Sequence, residues 1–109
     1  MRSTFKVLFY VKKGSEKPNG NLPLMCRITV DGKESRFSMK TDVDPNLWDV
    51  RLGKMRGRHN ISAEINALVD NTKAVLNRIY HQEQERTQYV SAEKVKNIFL
   101  GIDTRHYFY

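Results

Sequence analysis

The chain has 109 residues, is 39% hydrophobic and 28% charged, and carries a formal net charge of +7 with a pI near 9.7. That size allows one domain with a modest core and leaves little room for an enclosed catalytic cavity; no apolar run approaches the roughly 18 residues needed to span a membrane. The charge is uneven: residues 1–60 hold 13 Lys+Arg against 6 Asp+Glu, whereas 61–109 hold 6 of each, and a basic half points to a polyanionic partner.

Met1-Arg2-Ser3-Thr4-Phe5 leads straight into a strand pattern with no secretory apolar segment, and the single Cys26 has no partner for an internal disulfide. Both features suggest a reducing, cytoplasmic location. Phe5–Lys12 is rich in β-branched and aromatic residues and reads as a first strand. A polar stretch with Gly14, Pro18 and Asn19-Gly20 follows. Leu24–Val30 reads as a second strand and Lys33–Lys40 as a third, joined by Asp31-Gly32, a strong hairpin signal.

Thr41–Asp49 is turn chemistry around the only Trp, expected to pack on the core beside Leu47. Asp42, Asp44 and Asp49 belong to that turn and strand exit rather than to a carboxylate site. Arg51–His59 is basic and punctuated by glycines, open to two readings: a short extra strand pair or a mobile loop. Its cations could equally form a phosphate-binding arm or a solvated surface.

Asn60 is a candidate N-cap for a long helix running to about Arg86, with Ile61, Ile65, Leu68, Val69, Thr72, Val75, Leu76, Ile79 and Tyr80 on one stripe. A second helix starts after Ser91, with Val90 placed to staple onto Val95. Val95, Ile98, Phe99 and Ile102 form its apolar face, and Gly101 is its stop. The aromatic ending Arg105-His106-Tyr107-Phe108-Tyr109 reads as the cut edge of a longer protein. The expected fold is α+β: a three-stranded antiparallel sheet packed on a long helix, followed by a short second helix.

Strand alternation sorts the side chains. Phe5, Val7, Phe9 and Val11 share one face with Leu24, Cys26, Ile28, Val30, Phe37 and Met39, and this face is expected to cover the long helix. The other face then presents Lys6, Tyr10, Lys12, Arg27, Thr29, Arg36, Ser38 and Lys40 to solvent, a set without an acidic residue. Lys and Arg neutralise phosphates, each contact adding about 0.9 to the salt slope. Arg27 and Arg36 have the planar fork that pairs with guanine edges, and Tyr10, Thr29 and Ser38 can meet phosphate or base. A small sheet is narrow enough to enter the major groove.

Cys26 lies on the inward face as a small core residue. His59, His81 and His106 have no metal-ligand spacing with it, and no glycine-rich phosphate loop precedes a helix, so neither metal nor cofactor is expected.

Phe5-Lys6-Val7-Leu8-Phe9-Tyr10, the Arg27-Ile28-Thr29-Val30-Asp31-Gly32 hairpin, Val43-Asp44-Pro45 with Leu47-Trp48-Asp49, and Val90–Gly101 together resemble the amino-terminal arm-site DNA-binding domain of tyrosine recombinases, the integrases of conjugative transposons and phages. The resemblance covers nearly the whole chain. It implies a sheet placed in the major groove of double-stranded arm-type sites, possible contact with other integrase protomers, and a role in DNA integration and recombination. It also implies an arm-binding domain over 1–86, with 87–109 as linker and start of a core-binding helical domain. The family's catalytic residues belong to a further domain, so none is assigned here; Arg105-His106-Tyr107 reads as linker or helix start. Two other functions stay open on the residues alone. Leu8 and Met25, apolar on the outward face, suit a module docking an acidic protein, and a sheet-plus-helix domain can also read double-stranded RNA by shape.

Overall fold

A computed structural model describes residues 4–57 and 60–101. Strands β1 (Phe5–Val11), β2 (Leu22–Val30) and β3 (Lys33–Val43) form an antiparallel meander in the order β1-β2-β3. A two-residue pair, β4 (Trp48–Asp49) and β5 (Lys54–Met55), follows. Helices α1 (Asn60–Thr87) and α2 (Ala92–Leu100) complete the α+β fold.

Phe5 pairs with Val30 and Phe9 with Cys26, so the apolar residues of β1 and β2 fall on one face. Asp31 and Gly32 both take left-handed φ values, 52° and 85°, as a tight primed turn requires. The third strand runs three residues past its expected end, because a bulge intervenes. Met25 pairs with Ser38 but Pro23 with Asp42, and Lys40 sits in the left-handed region at φ 58°. The bulge inserts an even number of residues, so Val43 returns to the buried face opposite Leu22.

Of the two readings of the Arg51–His59 segment, the described part, 51–57, contains the second strand of a short pair whose first strand is Trp48–Asp49. Asn66 of α1 braces it: the Met55 N–H donates to Asn66 Oδ1 at 2.8 Å, and Asn66 Nδ2 donates to the Met55 carbonyl at 3.2 Å. Trp48 is buried, with Leu47 packed against the same core.

The long helix does not cover the sheet alone. It contacts β1 and β5, whereas α2 contacts β2, β3 and α1. A 28-residue helix is about 42 Å long and can lay only one narrow stripe across strands about 4.8 Å apart. The short helix fills the remaining apolar area. Val90, Ala92 and Val95 lie beyond the expected boundary at residue 86 and are buried in the same core as Ile28 and Leu76. Phe5 stacks on Tyr80 at 4.4 Å and Phe37 meets Phe99 at 5.4 Å, one aromatic contact for each helix.

Along α1 the expected stripe holds at Ile65, Val69, Thr72, Leu76 and Tyr80, but Ile61 is exposed and Ser62 is buried in its place. The Ser62 hydroxyl donates to the Arg56 carbonyl at 3.0 Å, which tethers the first turn to the preceding loop. At α2, Ser91 Oγ accepts from the Lys94 N–H at 3.0 Å and Gly101 closes the helix at φ 80°, as expected. Ile102, the Arg105–Tyr109 ending, His59 and His106 fall outside the described residues.

Candidate nucleic-acid interface

With one side of the sheet buried under two helices, the other side is open to solvent among the described residues. The pleat places Lys6, Tyr10 and Lys12 on it from the β1 segment, Arg27 and Thr29 from β2, and Arg36 and Ser38 from β3. Lys12 lies one residue past β1, yet its N–H still donates to the Pro23 carbonyl at 3.0 Å, which holds it in line with the strand. Lys40 stays exposed despite the bulge, and its N–H donates to Ser38 Oγ at 2.9 Å.

These residues divide into two clefts and a central pair. At the β1 edge, Lys6, Leu8, Arg27 and Thr29 line a shallow cleft of about 420 Å³ together with Lys73 and Asn77 of α1. At the bulge end, Lys12, Met25, Ser38 and Lys40 line another of about 450 Å³, joined by Lys17 and Asp42. Between them, Arg27 and Arg36 are direct cross-strand partners. The Arg36 guanidinium lies over the Tyr10 ring, 5.9 Å from its centroid.

The face is not free of acidic residues. Glu34 shares the alternation of Arg36 and Ser38, pairs with Thr29, and projects beside the two arginines. Arg36 Nη2 donates to Glu34 Oε1 at 2.9 Å, and Arg27 Nη1 stands 3.8 Å from Glu34 Oε2. The hydrogen bond from Arg36, aided by both positive charges, holds the Glu34 carboxyl below the usual range. Glu34 answers a local problem: like charges directly opposite across strands repel. Asp42 is a second acid at the rim, paired with Lys17 at 3.8 Å. The Arg27 Nε is buried and has no hydrogen-bond partner among protein atoms, so the outer Nη groups carry this side chain's polar contacts.

Sequence reasoning missed Glu34 although its signal was present, since it stands two residues before Arg36 in the same strand. Lys73 had no such signal, because only the packing of α1 brings a helix cation to the sheet edge. Within the basic 51–57 segment, two cations have partners inside the fold. Lys54 pairs with Asp70 of α1 at 3.4 Å, and Arg56 Nη2 donates to the Asn46 carbonyl at 2.9 Å. Both cations are held by the protein itself.

Among the described residues no group of His, Cys, Asp and Glu could hold a metal ion, and no helix is long and apolar enough to cross a membrane. Cys26 is fully buried, and desolvation pushes its thiol up to about 12, which fits a core role.

An open three-stranded sheet, backed by helices on one side and lined with cations and hydroxyls on the other, is the form of a nucleic-acid-binding module. The chain belongs to the arm DNA-binding domain family, whose family model matches residues 9–96. Domains of this family are typical of the amino-termini of tyrosine recombinases and integrases. No curated protein and no solved structure matches the chain. The partner of the domain is therefore DNA.

Proposed function

We propose that the outer sheet face is the DNA-reading surface and that it enters the major groove of a double-stranded arm-type site. The supporting observation is the convergence of Lys6, Lys12, Arg27, Arg36 and Lys40, with Tyr10, Thr29 and Ser38 among them, on the sheet face opposite the helix-packed core, which is open to solvent among the described residues. Lys6 and Lys12, at opposite ends of β1, suit phosphates on the groove walls, while the central Arg27 and Arg36 suit base edges. The parent protein is a tyrosine recombinase acting in DNA integration and recombination within the cytoplasm, and this domain positions it without catalysing strand exchange. Residues from 87 on lead toward a core-binding helical domain, with α2 also closing the core of the arm domain.

Titrating the chain with duplex DNA, duplex RNA of the same sequence and an acidic peptide, followed by residue-level chemical shifts, tests this reading. Perturbation should centre on Lys6, Tyr10, Arg27, Thr29, Arg36 and Ser38 and appear with DNA first. Shifts confined to the exposed side of α1, or stronger binding of RNA or peptide, would assign the face to another partner.

A further inference from the structure

The central feature of the outer face is an acid set between two arginines, on a surface whose partner is a polyanion. A carboxylate there repels phosphate and weakens non-specific attraction, so its placement calls for a reason beyond charge pairing within the fold. Resting on the interface proposed above, we infer that Glu34 is a specificity-determining positioning residue: it holds the Arg27 and Arg36 guanidinium groups in a fixed orientation, suited to base edges and unsuited to indiscriminate phosphate contact.

The geometry supports each part of this. Arg36 is gripped from two sides, by the 2.9 Å hydrogen bond to Glu34 and by the Tyr10 ring beneath its guanidinium. A guanidinium has five N–H donors in a rigid plane; Arg36 engages Glu34 and also the Tyr10 hydroxyl, and its remaining N–H groups can meet a base edge. Holding the fork beforehand reduces the ordering loss on binding. Arg27 is held more loosely, at 3.8 Å, and shares the same carboxylate, which places both forks side by side near the middle of the sheet. A phosphate approaching either arginine must come close to Glu34, whereas the acceptor edge of guanine meets the arginine forks without bringing a second negative charge. Glu34 thus acts against the wrong ligand as much as for the right one.

The test compares wild type, Glu34→Gln and Glu34→Ala, each also in an Arg27→Ala/Arg36→Ala background. The probes are a pool of duplexes with a randomised central segment and poly(dI-dC) as bulk competitor DNA. Glu34 is exposed and its ion pairs lie at the surface, so its variants should remain folded and melt only slightly below wild type. Wild type should enrich a definite sequence pattern from the pool. Glu34→Gln should bind poly(dI-dC) several-fold more tightly and lose about tenfold in its preference for the enriched pattern over bulk DNA. In the double-arginine background the same substitution should leave sequence preference unchanged, because it acts through those forks. If Glu34→Gln and Glu34→Ala keep the wild-type pattern and ratio, Glu34 only balances charge and the inference is overturned while the interface stands. If wild type binds duplex with no perturbation of the sheet face, the interface reading fails and this inference fails with it.

Discussion

Glu83 of α1 and Lys94 of α2 form an ion pair of 3.2 Å, with the Glu83 side chain only 7% exposed. Arg86 donates to the same carboxylate at 2.7 Å. A nearly buried carboxylate needs such partners, and here one of them belongs to the other helix. Between the helices, Gln88 takes a left-handed φ of 61° and its N–H donates to the Gln84 carbonyl at 2.9 Å, so the chain turns sharply back. The ion pair and the turn together fix α2 under β2 and β3.

Stability should depend on pH through Glu83. The Arg86 hydrogen bond, with Lys94 adding to it, lowers the folded-state value for Glu83 below that of a free glutamate, against the opposing effect of burial. A depressed value stabilises the fold above the unfolded-state range near 4.3 and loses that contribution as pH falls through the folded value. Glu83→Gln should destabilise the domain by about 1–2 kcal/mol at neutral pH, with the difference shrinking in acid. Urea melts of both proteins across that range measure it; parallel curves at all pH values would contradict the assignment.

Two substitutions on α1 should separate buried from exposed positions. Leu76 is fully buried in the core, so Leu76→Ala should cost about 2–5 kcal/mol, a large share of the roughly 5–15 kcal/mol of a typical domain. Ile61 is 65% exposed despite its place on the apolar stripe, and Ile61→Ala should change stability by less than about 0.5 kcal/mol. Thermal melts decide the matter, and equal losses at the two sites would place the stripe wrongly.

Cys26 should be chemically silent in the folded protein. Its thiol is buried and held protonated by desolvation, pushed up to about 12. Alkylation by iodoacetamide at mildly alkaline pH should then follow the rate of global unfolding and accelerate in denaturant. Prompt labelling in native buffer would show a thiol more open than the core position implies.

On DNA, the lysines and arginines should behave differently. Lys6→Ala or Lys12→Ala should weaken binding to all duplexes about equally and flatten the salt slope by about one unit. Arg36→Ala should cost about 1–3 kcal/mol on the preferred sequence and relax that preference. Fluorescence anisotropy over a salt series distinguishes the two patterns; a uniform loss for Arg36→Ala would make it a phosphate contact.

Much of this molecule is written locally. Alternation in Phe5–Val11 and Leu22–Val30 decides which side of the sheet is buried, because a strand's side chains can only point two ways. Asp31-Gly32 dictates its turn through the φ values it tolerates, and Ser91 and Gly101 mark α2 through the backbone groups that helix ends leave open. The outward set of cations follows from the same alternation.

Other features depend on neighbours distant in sequence. Ile61 reads as core by periodicity, yet the sheet and hairpin that α1 meets leave it outside and bury Ser62, whose hydroxyl finds the Arg56 carbonyl. Glu83 looks like a solvated residue until α2 folds back and supplies Lys94. Glu34 is visible in the alternation, but its partnership with Arg27 arises only when β2 and β3 pair in one register. The residue pattern alone determined the faces, turns and caps, since those follow from backbone geometry within a few residues. Tertiary structure decided which charges are matched, which helix covers which strands and which surface stays open, because these depend on distances between segments that no local pattern sets.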